Sequence, residues 1–164
     1  DRTILIETHI IREIIPWIDT NYNTKSSRGF RVIQGFSMGG YGASLLAVKF
    51  PELFSVCINY DGGMWNWENM TSKSRKWQPV APVLFDNDKI YYESNSSPWK
   101  FANLNKDKIK GQLQFRTLVG SLGLRLQKWR NHLTSLEIEM DYVYTDCRHD
   151  LKCLHEKAGD GSCR

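Results

Sequence analysis

Hydrophobic positions follow a helical spacing near the start of the chain and a strand-like run soon afterwards. Isoleucines recur three and four residues apart, at Ile10, Ile11, Ile14, Ile15 and Ile18. This spacing predicts an amphipathic helix that Pro16 kinks and that ends near Asn21. A run of bulky residues over 30–36 then predicts a strand.

Helical and strand-like patterns continue to alternate along most of the chain. The predicted elements are helices at 41–50 and 126–136 and strands at 54–60, 113–119 and 138–142. The last strand alternates apolar and acidic residues, which is typical of a half-exposed edge strand. Helices between strands predict the α/β class, with a mostly parallel sheet flanked by helices.

The segment from Asp61 to about Asn105 lacks this periodicity. It is rich in Gly, Asn, Ser and Pro and contains four tryptophans: Trp65, Trp67, Trp77 and Trp99. We therefore expect an irregular excursion from a single domain spanning residues 1–164. Trp65 and Trp67 could form the apolar wall of a substrate pocket, or the tryptophans could build a small satellite core. The sequence leaves both roles open.

Composition narrows the range of partners. The chain has 164 residues, 41% of them hydrophobic, which is enough for one core. Its net charge of +4 comes from scattered basic residues, without the stacking platform of a nucleic-acid-binding surface. No apolar stretch reaches the roughly 18–20 residues of a membrane helix, so we expect a soluble chain that binds neither nucleic acid nor membrane.

Three of the four cysteines, Cys147, Cys153 and Cys163, lie within the last 18 residues. None of the cysteines has the C-x-x-C spacing of a zinc module, so we expect no metal site and no cofactor. A disulfide within this tail would fit the spacing, for example one that joins Cys163 to Cys147 or to Cys153. Together with glycosylation sequons at Asn69 and Asn95, this tail favours an extracytoplasmic location.

A candidate nucleophile lies between the strand at 30–36 and the following helix. Gly35-Phe36-Ser37-Met38-Gly39 is a G-x-S-x-G sequence. A serine on such a sharp strand-to-helix turn exposes its hydroxyl, and the glycines on both sides allow the two backbones to approach closely. The backbone N–H of Met38 would lie at the helix N-terminus, where it can stabilise an oxyanion.

A serine nucleophile needs a base, and His149 is the best candidate among four histidines. His9, His132 and His155 lie in predicted helices, where packed or solvated histidines are common. His149 lies in the loop after the last strand. Loops at the carboxyl ends of parallel strands converge on one site. A serine followed much later by a histidine is also the chain order of α/β-hydrolase triads.

Four stretches together carry a resemblance to a known family. They are I-P-W-I-D-T-N-Y at 15–22, G-F-S-M-G-G-Y-G-A at 35–43, K-F-P-E-L-F at 49–54 and R-H-D-L at 148–151. The chain resembles the putative-esterase family of α/β-hydrolases, which contains S-formylglutathione hydrolases, feruloyl and acetylxylan esterases, and mycolyl transferases. The resemblance implies Ser37 as nucleophile, Met38 N–H as an oxyanion donor and His149 as base.

The chain departs from this family at the triad acid. In the family the acid usually follows the strand that corresponds to 113–119, but here Gly120-Ser121-Leu122-Gly123-Leu124 contains no carboxylate. Asp61 is the favoured substitute because it ends the preceding strand on the same sheet edge. It could also be a simple turn residue. Asp146 and Asp150 flank His149 but would have to bend back to reach it.

A second departure is that the strands preceding this region in the family have no counterpart. The chain is therefore expected to be the C-terminal part of an α/β-hydrolase fold, with the strand at 30–36 left as an open edge. We expect a fragment, or a chain completed by a partner or by self-association.

Three functions remain open at the level of sequence. The leading one is a serine esterase that acts through an acyl-enzyme on a small-molecule, aromatic or carbohydrate-linked ester. Acyl transfer to a sugar hydroxyl would use the same residues. A non-catalytic carbohydrate- or partner-binding domain would fit the missing acid and the tryptophan-rich segment.

Overall fold

A four-stranded parallel sheet forms the centre of the molecule, and the α/β prediction is confirmed. The structure is a computed structural model that describes residues 6–73 and 79–158. The strands are β1 (Val32–Phe36), β2 (Val56–Tyr60), β3 (Gln114–Val119) and β4 (Met140–Tyr144). They lie in the order β1-β2-β3-β4 and every neighbouring pair is parallel. Strand β4 occupies an edge, as its alternating pattern predicted.

Some strand boundaries differ from the predicted ones. β1 begins at Val32 rather than at residue 30 because Arg28–Phe30 form a 3-10 turn. β4 begins at Met140 rather than at residue 138 because Ile138 belongs to the turn that follows the preceding helix. Hydrophobicity alone does not separate a buried turn residue from the first residue of a strand.

The helices flank both faces of the sheet. Those outside the tryptophan-rich segment are α1 (Ile6–Thr8), α2 (Ile15–Asn21), α3 (Met38–Lys49), α9 (Gly123–Ser135) and α10 (Leu151–Ala158). A π-helical stretch, His9–Ile14, joins α1 to α2, and Pro16 lies in the first turn of α2. The predicted end at Asn21 is confirmed, and the helical stretch is irregular directly before Pro16, because a proline supplies no N–H and its ring clashes with the carbonyl group four residues earlier.

The described part of the segment at 61–105, which leaves out residues 74–78, contains four short helices, so the prediction of an irregular excursion was wrong. It contains α4 (Trp67–Thr71), α5 (Ala81–Phe85), α6 (Lys89–Asn95) and α7 (Pro98–Leu104), and α8 (Lys106–Ile109) follows directly. Side chains of Asn66, Asp88 and Ser97 cap three of these helices. Helices of four to seven residues are too short to produce a periodic hydrophobic pattern. Trp77 lies outside the described residues.

The main core lies between the sheet and helices α3, α7 and α9. It includes the fully buried residues Ala47, Val48 and Trp129. The opposite face is covered at the carboxyl ends of the strands by α10, through Leu154 against Leu118. The rest of that face forms an open depression lined by residues that include Val32, Gln34, Val56, Ile58 and Arg116.

The expected disulfide within the cysteine-rich tail is present, but it joins a different pair from the examples given. Cys147 is bonded to Cys153 rather than to Cys163, which lies outside the described residues. The two paired cysteines are six residues apart and their Cα atoms are 5.8 Å apart, which is within the usual range for a disulfide. Within residues 6–73 and 79–158, no helix is both long enough and apolar enough to cross a membrane.

Candidate active site

Ser37 forms the turn between β1 and α3. Its backbone has φ 56° and ψ −120°, a conformation that a residue with a side chain adopts rarely. The turn is tight because the backbone of α3 lies directly against Gly35, where a Cβ atom would be 2.1 Å from the Gly39 carbonyl oxygen. Ser37 is therefore held in a strained turn of the kind that its sequence context predicted.

The second close approach involves Gly40 rather than Gly39. A Cβ on Gly40 would lie 2.6 Å from Asn59 Oδ1, whereas a Cβ on Gly39 would meet no atom within 4 Å. The prediction that Gly39 is needed for close backbone contact was therefore wrong. The residue that faces β2 is one position further along α3.

His149 connects Ser37 to Asp61 through two hydrogen bonds. Its Nε2 atom is 2.8 Å from Ser37 Oγ, and its Nδ1 atom is 2.8 Å from Asp61 Oδ2. With the ring proton on Nδ1, that atom donates to the carboxylate and Nε2 accepts from the serine hydroxyl. The three side chains form one continuous chain of hydrogen bonds, with Asp61 fully buried and Ser37 at the accessible end.

Asp61 receives further donors from the loop after β3, which has no carboxylate of its own over residues 120–124. Its Oδ1 atom accepts the backbone N–H groups of Gly120 at 2.9 Å and of Leu122 at 3.1 Å. A Cβ on Gly120 would be 2.8 Å from Asp61 Oδ2 and 2.7 Å from the Arg148 carbonyl oxygen. The loop after β3 thus leaves space for the Asp61 carboxylate and supplies two backbone N–H groups that hold it.

The other two candidate acids are engaged elsewhere. Asp146 forms an ion pair with Lys157 at 3.2 Å, and the hydrogen bond from Lys157 lowers the pKa of that carboxyl group. Asp150 Oδ1 accepts the Cys153 N–H at 2.8 Å at the start of α10. Asp61 is therefore the carboxylate of these three that contacts His149.

The remaining histidines take structural positions. His9 pairs with Glu13 on the exposed side of the π-helical stretch. His132 stacks on Trp129 and contacts the Trp99 carbonyl oxygen, and burial lowers its pKa. His155 stacks on Tyr60.

Asn59 is a supporting residue that the sequence pattern did not single out. It is buried, its Oδ1 atom accepts the Gly62 N–H at 2.6 Å, and its Nδ2 atom donates to the Ser44 hydroxyl at 3.0 Å and to the Gly40 carbonyl at 3.2 Å. It thereby ties the turn at Ser37 to the turn after β2. A polar residue in an otherwise apolar strand was the available signal.

Met38 and the two candidate tryptophans lie in different surroundings. Met38 is the first residue of α3, where backbone N–H groups have no acceptor inside the helix. Trp65 packs beneath the Arg125 guanidinium, whose Cζ lies 4.6 Å from the ring centroid. Trp67 contacts Tyr92, and both tryptophans pack against a satellite core of Met70, Ala81, Phe85 and Tyr92, which is the alternative role considered for them.

The family model described as "Putative esterase" matches residues 3–113, more than half of the chain. The chain belongs to the putative esterase family. One relative is Esterase MT1326 of Mycobacterium tuberculosis, which is 26% identical over an alignment of 152 residues that covers 72% of this chain and 33% of that protein. An endo-1,4-beta-xylanase/feruloyl esterase of Xylanibacter ruminicola is 39% identical over 57 residues, 35% of this chain and 8% of that protein.

Among solved structures, an S-formylglutathione hydrolase from Agrobacterium tumefaciens has the same fold. The superposition has a TM-score of 0.72 with 18% identity, and covers 94% of this chain and 54% of that one. The present esterase-family chain thus spans about a third of its Mycobacterium tuberculosis relative and about half of the solved hydrolase. The α/β-hydrolase fold is confirmed as a partial one.

Proposed function

We propose that this chain is the nucleophile-bearing part of a serine carboxylic-ester hydrolase that works through an acyl-enzyme. The observation that carries the proposal is the continuous hydrogen-bonded chain from Ser37 through His149 to the buried Asp61. Membership in the esterase family supports ester hydrolysis as the reaction class. A serine, a histidine and a carboxylate in this order are the arrangement that such acyl transfer needs.

In this proposal, acylation begins when Ser37 Oγ attacks the ester carbonyl carbon. His149 Nε2 takes the serine proton as the bond forms, and later gives it to the departing alcohol. Asp61 holds the ring proton on Nδ1 and stabilises the imidazolium that forms between these steps. Water then attacks the acyl-enzyme with His149 again acting as base, which frees the acid and restores Ser37.

The Met38 N–H is the proposed donor to the oxyanion of the tetrahedral intermediate. The residue lies directly after Ser37 at the first position of α3, so its amide belongs to the positive end of the helix. A preorganised donor of this kind contributes most when negative charge develops on the carbonyl oxygen.

The proposed substrate class is a small-molecule ester with an aromatic acyl group or a carbohydrate alcohol. Support comes from the feruloyl esterase in the name of the Xylanibacter ruminicola relative. Trp65 is retained as a candidate wall of the substrate site, because it follows the Asp61 turn closely. Trp67 is a weaker candidate because its ring packs on Tyr92.

We also propose that further strands complete the sheet next to β1, supplied by another segment of the same polypeptide or by a second copy. Among the described strands, β1 pairs with β2 alone. Phe30 and Val32 at this edge are 64% and 51% exposed. Parallel sheets normally have covered faces and protected edges.

Hydrolysis of p-nitrophenyl acetate by the full-length gene product tests the proposed function. An acyl-enzyme mechanism predicts that Ser37→Ala abolishes the reaction, while Ser135→Ala on the exposed end of α9 keeps it within about twofold. With a slowly deacylating aromatic ester, the unmodified protein should release a burst of alcohol matching the enzyme concentration. Activity that survives Ser37→Ala would remove Ser37 as nucleophile.

A further inference from the structure

The loop that carries His149 is short, and a disulfide links it to the helix that follows. It joins the end of β4 at Tyr144 to the start of α10 at Leu151. The Cys147–Cys153 bond encloses His149, which lies two residues after one cysteine and four before the other. The imidazole is thus attached to a covalent ring of seven residues.

The rest of the loop is fastened at its two ends. At the start, Thr145 N and Thr145 Oγ1 both donate to the Val119 carbonyl oxygen, at 3.1 Å and 2.9 Å. At the other end, Asp150 Oδ1 accepts the Cys153 N–H. The His149 ring stacks on Phe36 with ring centroids 4.5 Å apart. Within the described residues, the covalent cross-link of this loop is the disulfide, which joins Cys147 in the loop to Cys153 in the first turn of α10.

We propose that the Cys147–Cys153 disulfide is a positioning element for His149 and makes the activity sensitive to thiol reductants. This inference rests on the proposed function, because it concerns the base of that reaction. The imidazole must satisfy two 2.8 Å contacts at once, to Ser37 and to Asp61. Opening the seven-residue ring gives its backbone more freedom, so both contacts are held less often.

The chemical step is thiol–disulfide exchange with a dithiol reductant. A reductant thiolate attacks Cys153, the partly exposed member of the pair, and releases Cys147 as a thiolate that takes up a proton. The second thiol of the reductant then displaces Cys153, which also becomes a thiol. The protein disulfide gains two electrons and two protons, and the reductant leaves as its own disulfide.

Reaction of Cys57 with the reductant is not expected to contribute to the loss of activity. Cys57 is buried in β2, and burial raises the pKa of its thiol to about 12. A buried thiol with so little thiolate is a poor partner for exchange. Cys163 lies outside the described residues, so a Cys163→Ser variant is needed to test whether its thiol takes part in the response.

The experiment compares oxidised and dithiothreitol-reduced full-length protein in ester hydrolysis. Because small displacements of catalytic groups cost rate rather than binding, we expect kcat to fall about tenfold to a hundredfold and KM to stay within about twofold. Oxidised glutathione should restore the rate. The double variant Cys147→Ser/Cys153→Ser should be slow in both states, whereas Cys163→Ser should respond like the unmodified protein.

Hydrogen exchange of the 145–150 amides supplies a readout that does not need activity. Reduction should speed exchange in this loop and leave the β3 amides unchanged. The proposal is overturned if mass spectrometry shows full reduction while loop exchange or kcat stays the same. If the oxidised protein lacks Ser37-dependent hydrolysis, the proposed function fails, and the exchange measurement alone still decides whether the disulfide restrains His149.

Discussion

Asp61 occupies a position where its backbone, its burial and its hydrogen bonds all favour a fixed carboxylate. It has a positive φ of 46° at the turn after β2, and its side chain is fully buried. Two backbone N–H groups and the His149 ring contact its two oxygens. These contacts fix the orientation of the carboxylate, so that it can accept the hydrogen bond from Nδ1–H and hold the histidine in one tautomer.

Replacing this carboxylate by an amide should remove most of the activity. In Asp61→Asn, the amide can present its NH2 group to Nδ1, which favours the tautomer with the proton on Nε2, so Ser37 loses its base. We expect kcat for p-nitrophenyl acetate to fall by about four orders of magnitude. The matched control is Asp146→Asn, which breaks only the ion pair with Lys157 and should stay within about twofold. An Asp61→Asn enzyme that retains a tenth of the rate would contradict the role of this residue.

The sequence could indicate the members of the site but could not establish their contacts. Ser37 and His149 stood out because a local motif and a loop position are readable from neighbouring residues. Asp61 could be favoured from the expected strand order, yet the folded chain is needed to bring its carboxylate to 2.8 Å from His149. The supporting role of Asn59 depends on its bonds to Gly40 and Ser44, which lie 19 and 15 residues earlier in the chain, so no local pattern reveals it.

At the level of elements, the turn from β1 into α3 depends on close backbone packing at Gly35. Gly35→Ala places a Cβ 2.1 Å from the Gly39 carbonyl oxygen, so strand and helix must separate. We expect a loss of about 1–3 kcal/mol or more in the free energy of unfolding, measured by urea denaturation of the full-length protein.

Gly42→Ala in the same helix is the control for this substitution. Its Cβ would meet no atom within 4 Å. Alanine should therefore stabilise the protein, by about 0.4–1 kcal/mol, because it reduces the entropy of the unfolded chain. Equal effects of the two substitutions would show that the turn does not depend on backbone contact at Gly35.

The loop after β3 should also be intolerant of a side chain at Gly120. Gly120→Ala would place a Cβ 2.8 Å from Asp61 Oδ2, so the carboxylate or the 148–149 backbone must move. We expect kcat to fall about a hundredfold, by misplacement of His149, with a smaller change in KM. Gly123→Ala, whose Cβ would meet Val119 Cγ1 at an ordinary 3.4 Å, should retain near-normal rates. Similar kcat values for the two variants would refute this account of the loop.

Element prediction succeeded where apolar patterns are long and failed where capping decides the structure. The twelve-residue α3 is bounded by Ser37 and Phe50, with Pro51 following, and these signals are visible in the sequence. The short helices at 67–109 depend on caps such as Asp88 and Ser97 and on packing around Tyr92. Such helices gain their stability from tertiary contacts, which a single sequence does not display.

At the scale of the whole molecule, the sheet has covered and uncovered regions. Helices α3 and α9 pack over one face, and α10 covers the carboxyl ends of the strands on the other. The remaining part of the second face carries Val32, Val56 and Ile58 beside an open depression. These apolar side chains, together with the exposed edge of β1, are the features expected where additional structure packs.

The 164-residue chain expressed alone should therefore be less stable than the full-length product. We expect a broad thermal transition and binding of a hydrophobic dye, or association of copies, because the β1 edge and the adjacent sheet face stay exposed. Calorimetry and analytical ultracentrifugation on both proteins check this. A sharp cooperative melt of a monomeric 164-residue chain would contradict the proposal that further strands complete the sheet.

Fluorophosphonate labelling of the full-length protein, followed by peptide mass spectrometry, tests the central claim most directly. The account predicts a covalent adduct on Ser37 that forms rapidly in the unmodified protein. It also predicts that His149→Ala slows labelling by at least about a hundredfold, because the hydroxyl has lost its base. Absence of an adduct on Ser37, or labelling at an equal rate without His149, would contradict it.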